Sequence, residues 1–169
     1  MQVYPSYNGG GTVLCSILDD NYEPAQTALI DTVQNYICPP VNAPSSLGFG
    51  MAPIGALVTI TTGTVLSVDV ACTIQWDTGH GGATDIQAVE DAIAAYIKTA
   101  GQSWGDAIVG YTVQYSVTVF LARVISAILG VEGVINVTGV TLNGSAADVV
   151  CTETDALQEI PEIGTVTIS

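Results

Sequence analysis

Residues Thr64 to Trp76 alternate between apolar and polar side chains, which is the period of a β-strand with one buried and one wet face. A helix cannot gather this set on one side, because its side chains repeat about every 3.6 residues. The segment therefore predicts the clearest strand in the chain. Its apolar face comprises Leu66, Val68, Val70, Cys72, Ile74 and Trp76.

A glycine-rich loop, Gly79–Gly82, follows this strand and leads into a helix. Thr84, with Gln87 three residues later, predicts a capping box at the helix start. Helical spacing then continues until Gly101, which we expect to end the helix. The predicted buried face comprises Ile86, Val89, Ile93, Tyr96 and Ile97.

A second helix is predicted farther along, where apolar residues follow helical spacing from Val117 to Leu129. We expect Gly130 to end it in the left-handed conformation. Before it, Tyr111, Val113 and Tyr115 alternate briefly like a short strand.

The strand predicted next changes phase, since its first apolar residues lie in one register and Val140 and Leu142 in the other. Burying both sets requires a bulge near Gly139. Asn143-Gly144 is a strong hairpin signal and predicts that this strand pairs with Asp148 to Thr152.

The N-terminal part predicts a strand, a helix and a second strand. Val13 to Ile17 alternates as a strand, Asp19 to Tyr22 forms a turn, and a helix runs from Pro24 to Ile37. A long irregular loop from Pro39 to Gly50 precedes a strand at Ile54 to Thr61.

The two predicted helices at 28–37 and 88–97 share Ala, Asp, Tyr and Ile at matching positions. Either a module is duplicated, or two helices meet the same packing demand with similar residues. Both explanations remain open. In either case the chain is predicted to be α+β, with helices packed on one face of mainly antiparallel sheets in two small modules, residues 1–62 and 63–169.

Charge excludes one class of function. The chain has a formal net charge of −14, with Lys98 and Arg123 its only basic residues, so its surface repels phosphate backbones. We expect no nucleic-acid partner. Only 11% of residues are charged and 49% are hydrophobic, which is typical of a protein that buries part of its exterior against other subunits.

The most apolar run, Val117 to Val131, is too short and too polar for a membrane span, so no membrane partner is expected. The cysteines form no Cys-x-x-Cys pair of the kind that binds zinc, and we expect reduced thiols in bacterial cytoplasm. They are Cys15, Cys38, Cys72 and Cys151.

No residue set predicts catalysis. His80 is the single histidine, lies between glycines and has no marked Ser or Cys partner, so a solvated loop residue is favoured over a catalytic base. Asp85, Glu90 and Asp91 are typical of the acidic first turns that a helix dipole favours. We expect neither an enzyme nor a bound cofactor.

A metal site is not predicted either. Asp19, Asn21 and Glu23 imitate the opening of a calcium loop, but Pro24 stands where that loop needs glycine. Helix capping explains these residues more simply.

Two groups are candidates for contact with other proteins. Near the C-terminal end an acidic set is interpreted as solvated surface, with docking of a basic neighbour as the alternative. Four aromatic residues near element ends are expected to be core or half-buried. The acidic set is Glu153, Asp155, Glu159 and Glu162, and the aromatic set is Tyr36, Trp76, Tyr96 and Trp104.

The order of the motifs resembles the baseplate J-like family of contractile phage tails. Residues 130–134 read Gly-Val-Glu-Gly-Val, a hairpin signal follows, and residues 159–168 read Glu-Ile-Pro-Glu-Ile-Gly-Thr-Val-Thr-Ile. Earlier segments are similar to those of defective-prophage and tail-like bacteriocin baseplate proteins: Gly11-Thr12-Val13, Asn21-Tyr22-Glu23-Pro24, residues 33–37 and residues 52–56.

The resemblance implies a structural role with no catalytic residues. Such proteins form wedges around the tail hub and bind neighbouring baseplate and tail proteins. It therefore implies a subunit in an oligomeric assembly, located in the virion tail and assembled in bacterial cytoplasm, with an N-terminal family region absent from this sequence. The alternative from another class is a free-standing acidic domain that binds carbohydrate or calcium.

Overall fold

A computed structural model describes residues 1–42, 46–106 and 115–169, and within them it has three α-helices and eight strands, which confirms the α+β class. The chain divides into two compact units. The first contains Met1–Val65, Trp104–Ser116 and Thr152–Ile160, and the second contains Leu66–Ser103, Val117–Cys151 and Pro161–Ser169. These two units have different bounds from the predicted modules, 1–62 and 63–169, and the division into those modules stays a prediction.

The sheet of the first unit contains strands β1 (Gln2–Pro5), β2 (Thr12–Ile17) and β3 (Leu57–Thr62) in that order. β1 and β2 are antiparallel, whereas β2 and β3 are parallel. Helix α1 (Thr27–Ile37) is the crossover between the parallel strands and packs against β3. A parallel pair requires such a connection, because its strands start at the same end of the sheet.

Helix α1 begins at Thr27, three residues later than the predicted Pro24. Pro24 pairs with Leu18 in an isolated antiparallel bridge, and the Ala25 N–H donates to the Thr62 hydroxyl at 2.7 Å. These contacts keep the chain extended as far as Gln26, whose ψ is 150°. Tertiary hydrogen bonds therefore override the preference of proline for a first helical turn.

In the second unit, β4 is the central strand of the sheet β6-β4-β8 and carries helices on one face. β4 and β6 are antiparallel. Hydrogen bonds from the Ser169 N–H to the Cys72 carbonyl and from the Ile74 N–H to the Ser169 carbonyl, both 3.0 Å, follow the pattern of a parallel β4–β8 pair. The elements are β4 (Thr64–Trp76), α2 (Ala83–Gly101), β5 (Thr118–Val119), α3 (Leu121–Leu129), β6 (Val134–Leu142), β7 (Val149–Val150) and β8 (Glu159–Ile168).

The core of the second unit confirms the alternation of β4. Val68, Val70, Cys72 and Ile74 are buried, while the intervening polar residues face water. Helices α2 and α3 cover this face with fully buried side chains. Burial of each aliphatic side chain contributes about 1.5–3 kcal/mol, so this contact is the main source of stability in the unit. The covering residues are Val89, Ile93, Ile97, Val124 and Ile128.

Two predictions about helix ends are wrong. Thr84 lies inside the first turn of α2, whose N-cap is Gly82, and Asp85 rather than Gln87 completes the capping box. Gly130 is right-handed, with φ −80°, whereas Gly133 has φ +84°. The turn after α3 thus reverses three residues later than expected. Among the described helices, none is long and apolar enough to cross a bilayer.

The start of α3 and the pairing after β6 also differ from the predictions. Residues 118–119 form β5, which pairs with β7, so the helix starts at Leu121 and not at Val117. The Asn143-Gly144 turn exists, but beyond it β6 makes only the Leu142–Ser145 bridge. The bulge near Gly139 is confirmed. Ala71 of β4 pairs with Thr141, but Thr73, two residues later, pairs with Thr138, so β6 has one extra residue in this interval.

Candidate functional site: an exposed apolar loop

His80 and Asp85 are brought together at the start of α2. The His80 Nδ1 lies 3.3 Å from Asp85 Oδ1, and Asp85 Oδ2 accepts N–H groups from Gly81 at 2.8 Å and Gly82 at 3.1 Å. The His80 hydrogen bond is the main reason why the pKa of Asp85 is lowered. The pair therefore caps a helix, and it holds no nucleophile of the kind a catalytic base would activate.

Two other carboxylates that were weighed as site residues and not predicted to be such, Asp91 and Asp19, serve local structure. Asp91 accepts the Gln87 amide at 3.0 Å, and Asp19 Oδ1 accepts the N–H groups of Asn21 and Glu23 at 2.8 and 2.9 Å. Asp19 thus forms an Asx-type turn, in which a side chain replaces a backbone acceptor. Within the described ranges, no three His, Cys, Asp or Glu side chains lie close enough to hold a metal ion.

The thiols are not poised for chemistry. Cys15, Cys38, Cys72 and Cys151 are all buried. Burial raises the pKa of the Cys15 and Cys72 thiols, because a thiolate loses its hydration inside the protein. These two residues therefore act as small hydrophobic core groups.

The predicted acidic set is not one exposed patch. Both carboxylate oxygens of Glu153 are buried, and the Glu159 carboxylate accepts the Thr152 N–H at 2.7 Å. Burial, with Glu153 as the next contribution, raises the pKa of the Tyr4 hydroxyl. Of the set, Asp155 and Glu162 are exposed.

Three of the four aromatic residues follow the expectation of core or half-buried packing. Trp104 is 1% exposed, and its indole N–H donates to the Glu159 carbonyl at 2.9 Å. Trp76 and Tyr96 are partly buried against the core of the second unit. Tyr36 differs, since it is 67% exposed at the end of α1.

Tyr36 belongs to a surface that the sequence patterns did not reveal. We define the apolar loop as residues 36–54, of which 43–45 are outside the described part of the chain. Six large apolar side chains of this loop are 52–84% exposed. Clustered exposure of this kind is typical of a binding surface rather than of scattered surface residues. The six are Tyr36, Val41, Leu47, Phe49, Met51 and Ile54.

One buried asparagine organises the loop. Asn42 is 0% exposed, its Oδ1 accepts the Phe49 N–H at 2.9 Å, and its Nδ2 donates to the Phe49 carbonyl. The same amide lies 3.7 Å from the Cys38 sulfur. The Asn42 side chain thus pairs with Phe49 as a neighbouring strand would, and it holds the Phe49 backbone while the ring remains in solvent.

The far side of the loop is tied to the end of α1. The Met51 N–H donates to the Tyr36 carbonyl at 3.3 Å, and the Ala52 N–H donates to the Ile37 carbonyl at 2.8 Å. Gly50 has φ +85°, and a Cβ there would lie 2.7 Å from the Ile37 oxygen. Only glycine fits, and the exposed side chains are therefore carried by a backbone with fixed geometry.

The apolar loop also lies in a stretch without charge, since no Asp, Glu, Lys, Arg or His occurs between Asp31 and Asp69. In a chain with net charge −14, this stretch stands apart in composition. Charge depletion and aromatic residues are features of the centres of protein interfaces. The loop was predicted only as irregular, although its lack of charge combined with large apolar residues was a signal visible in the sequence.

The described residues present an exposed apolar surface at this loop, and comparison with known proteins identifies the family of the chain. Residues 1–62 match the model of the baseplate J-like central domain, and residues 68–169 match that of the baseplate J-like protein C-terminal domain. Both matches fit the order of motifs that suggested the family from the sequence.

Two curated proteins of Bacillus subtilis (strain 168) are similar to the chain. The phage-like element PBSX protein XkdT is 25% identical over 167 residues, which cover 99% of this chain and 42% of XkdT. The uncharacterized protein YqbT is 38% identical over 74 residues, which cover 44% of this chain and 20% of YqbT. The chain spans less than half the length of these relatives. Together with the two domain matches, the similarity shows that this chain belongs to the baseplate J-like family.

Proposed function

We propose that the chain is a structural part of a baseplate wedge in a contractile phage tail or tail-like particle. The proposal is supported by the two baseplate J-like domain matches, which cover residues 1–62 and 68–169. The similar XkdT belongs to a phage-like element, which favours a prophage-derived particle. In this proposal the chain acts by assembly, performs no catalysis, and resides in the virion tail after assembly in bacterial cytoplasm.

The apolar loop is the part of the chain that we expect to bind a neighbouring subunit. Removing one large apolar side chain from water contributes about 1.5–3 kcal/mol, and Phe49 and Ile54 are 53% and 84% exposed. The Asn42 hydrogen bonds order the loop before binding, so association loses less conformational entropy. No charge has to be desolvated, because the stretch carries none.

The proposed occupant of this surface is a different baseplate or tail protein. Two copies of a chain with net charge −14 repel each other, whereas a neutral or basic neighbour with an apolar face does not. The same charge disfavours DNA as a partner. Oligomerisation within the particle is then a property of the whole assembly, and membrane contact has no part in the proposal.

We also infer that the chain is organised as two modules, 1–62 and 63–169. This division is supported by the limits of the two domain matches, which leave only residues 63–67 between them. Differential scanning calorimetry tests it, since two modules are expected to unfold in two transitions. A single two-state transition, with equal calorimetric and van't Hoff enthalpies, would contradict the division.

Assembly in the cell that encodes the particle tests the proposal most directly. The gene is deleted, induced lysates are examined by negative-stain electron microscopy, and tails with and without baseplates are counted. We expect baseplates to disappear on deletion and to return with the wild-type gene. Complete tails without the gene, or a genome with no sheath and tube genes beside it, would refute the assignment.

A matched pair of double variants tests the loop. Phe49→Ser with Ile54→Ser is expected to reduce baseplate-bearing tails at least about tenfold, because two interface anchors are lost. The control, Phe120→Ser with Ile135→Ser, changes the same residue types at exposed positions of the second unit. Equal loss in both, or in neither, would refute the role of the loop without affecting the family assignment.

A further inference from the structure

The C-terminal strand has a hydrogen-bonding edge that no described strand occupies. β8 lies at one side of the sheet β6-β4-β8, with β4 as its neighbour. Both backbone groups of Ser169 bond to β4, and the Thr165 N–H donates to the Asp69 carboxylate at 2.7 Å. Successive residues direct their backbone groups to alternate sides. Val166 and Ile168 therefore direct theirs away from β4, to the open side.

The outer edge of β3 is closed by a side chain. Gln34 Oε1 accepts the Ile60 N–H at 2.8 Å, and Gln34 Nε2 donates to the Val58 carbonyl at 2.9 Å. One amide from α1 thus occupies the positions that an added strand would need. Side-chain or loop cover of this kind is how soluble proteins prevent strand addition at an edge.

The edges of β1 and β6 are also modified. On β1 the Val3 N–H donates to the Tyr115 hydroxyl at 2.8 Å, and on β6 the register shift at Gly139 interrupts the ladder. From Gly164 to Ile168, β8 has no proline, no charge and no side chain placed across its outer groups within the described residues. Among the edges of the two three-stranded sheets, this one is therefore the best suited to accept another strand.

We propose that this edge of β8, residues 164–168, binds an extended segment of a different protein as an additional strand. Backbone N–H and C=O groups would provide the affinity, as in other cases of strand addition. On the core face Val166 and Ile168 are partly buried, while Thr165 and Thr167 are exposed on the other. The added strand should accordingly alternate apolar and polar residues.

The negative charge near the β8 edge favours a basic segment as the added strand. Glu162 is exposed next to the open edge, so a Lys or Arg on the incoming strand would face a carboxylate. None of the eight strands in the described part of the chain contains Lys or Arg, and the chain has net charge −14. A second copy would thus bring only neutral or acidic strands. The occupant is a basic, β-branched extended segment from another protein.

The experiment uses the full chain and a defined probe, the blocked peptide Lys-Thr-Val-Thr-Val-Thr-Lys, whose two Lys residues serve either strand direction. Amide hydrogen exchange is followed by NMR with and without peptide at roughly millimolar concentration, the range for weak strand addition. We expect the Val166 and Ile168 amides to exchange about tenfold more slowly with peptide present, because the bound strand protects them.

Two control peptides distinguish strand addition from nonspecific binding of the peptide. N-methylation of both Val residues removes backbone donors without changing charge, and Glu in place of both Lys reverses the charge. We expect the N-methylated peptide to give no protection. We expect the Glu peptide to bind about tenfold more weakly than the Lys peptide. Glu162→Gln should weaken binding of the Lys peptide.

The result that would overturn the proposal is unchanged exchange at Val166 and Ile168, or equal protection by the N-methylated peptide. Equal binding of the Lys and Glu peptides would overturn the basic character of the partner. The inference does not depend on the baseplate assignment, because neither the edge geometry nor the test refers to a particle.

Discussion

Asp69 and Asn143 are joined by a pair of reciprocal hydrogen bonds. The Asp69 N–H donates to Asn143 Oδ1 at 2.8 Å, and the Asn143 N–H donates to the Asp69 carbonyl at 2.8 Å. Asn143 and Gly144 have φ of 49° and 76°, the left-handed geometry that an Asn-Gly turn requires. This turn is therefore attached to the central strand of its sheet.

Replacing Asn143 with Ala should destabilise the protein by about 1–2 kcal/mol, because a hydrogen-bond acceptor is lost and Ala is strained at positive φ. Urea denaturation monitored by circular dichroism measures the change. Asn136→Ala, at an exposed site of β6, is the control and should change the free energy of unfolding by less than about 0.5 kcal/mol. Similar effects for both variants would show that the Asp69 contact contributes nothing specific.

The organisation of the apolar loop predicts the effect of changing Asn42. Asn42→Ala removes the hydrogen-bond partners of the part-buried Phe49 N–H and carbonyl, which should cost about 1–2 kcal/mol. The Phe49 amide should then exchange faster with solvent, as measured by NMR. Asn35→Ala, on the exposed face of α1, is the matched control. Unchanged exchange at Phe49 would contradict the bracing role of Asn42.

The core of the second unit predicts a large loss on truncation of Ile93. Ile93 is fully buried, so Ile93→Ala should lower the free energy of unfolding by about 2–5 kcal/mol through lost burial and a new cavity. Ile135→Ala makes the same change where the side chain is half exposed, and should cost far less. Chemical denaturation of both variants compares them, and equal losses would be incompatible with this core.

The start of α2 predicts a pH dependence. The pKa of Asp85 is lowered in the folded state, mainly by His80, so its contribution is fully present above the unfolded pKa of about 3.8 and is lost as pH falls through the folded pKa. Asp85→Asn should therefore destabilise the protein at neutral pH, by an amount that decreases as pH falls below about 3.8. NMR titration of the carboxyl group should also show a higher pKa for Asp85 in a His80→Ala variant. An unchanged Asp85 titration there would refute the pairing.

The sequence predicted best those elements whose local pattern and tertiary environment agree. β4 alternates because one face is buried along its length, and the change of phase around Gly139 required the bulge that the structure has. The Gly-rich loop before α2 was also placed correctly. In each case the evidence for the element lay within a few neighbouring residues.

Predictions failed where distant residues decide the local conformation. Val117 to Val119 have helical spacing, but pairing with β7 extends them. Pro24 was expected to start a helix, but it bridges to Leu18. Tyr36 and Tyr96 occupy matching positions in similar helices, yet the first is exposed and the second is half-buried. Helix similarity alone therefore did not predict burial.

The candidate surface was invisible to motif analysis for a physical reason. Binding by apolar contact needs no fixed residue spacing, unlike a metal or catalytic site. Asn42 was not singled out, because its role depends on meeting Phe49 across a loop of irregular backbone. The absence of charge from Asp31 to Asp69 was the readable signal.

The Gln34 amide protects the β3 edge of the free protein, before it has bound any partner. Without the Gln34 amide, the Ile60 N–H and the Val58 carbonyl on the outer edge of β3 would be open to strand addition by identical chains. Because the blocking group comes from α1 of the same molecule, this edge is covered whenever α1 is packed against β3. Resistance to self-association and the strand binding that we propose for β8 therefore lie on edges of two different sheets.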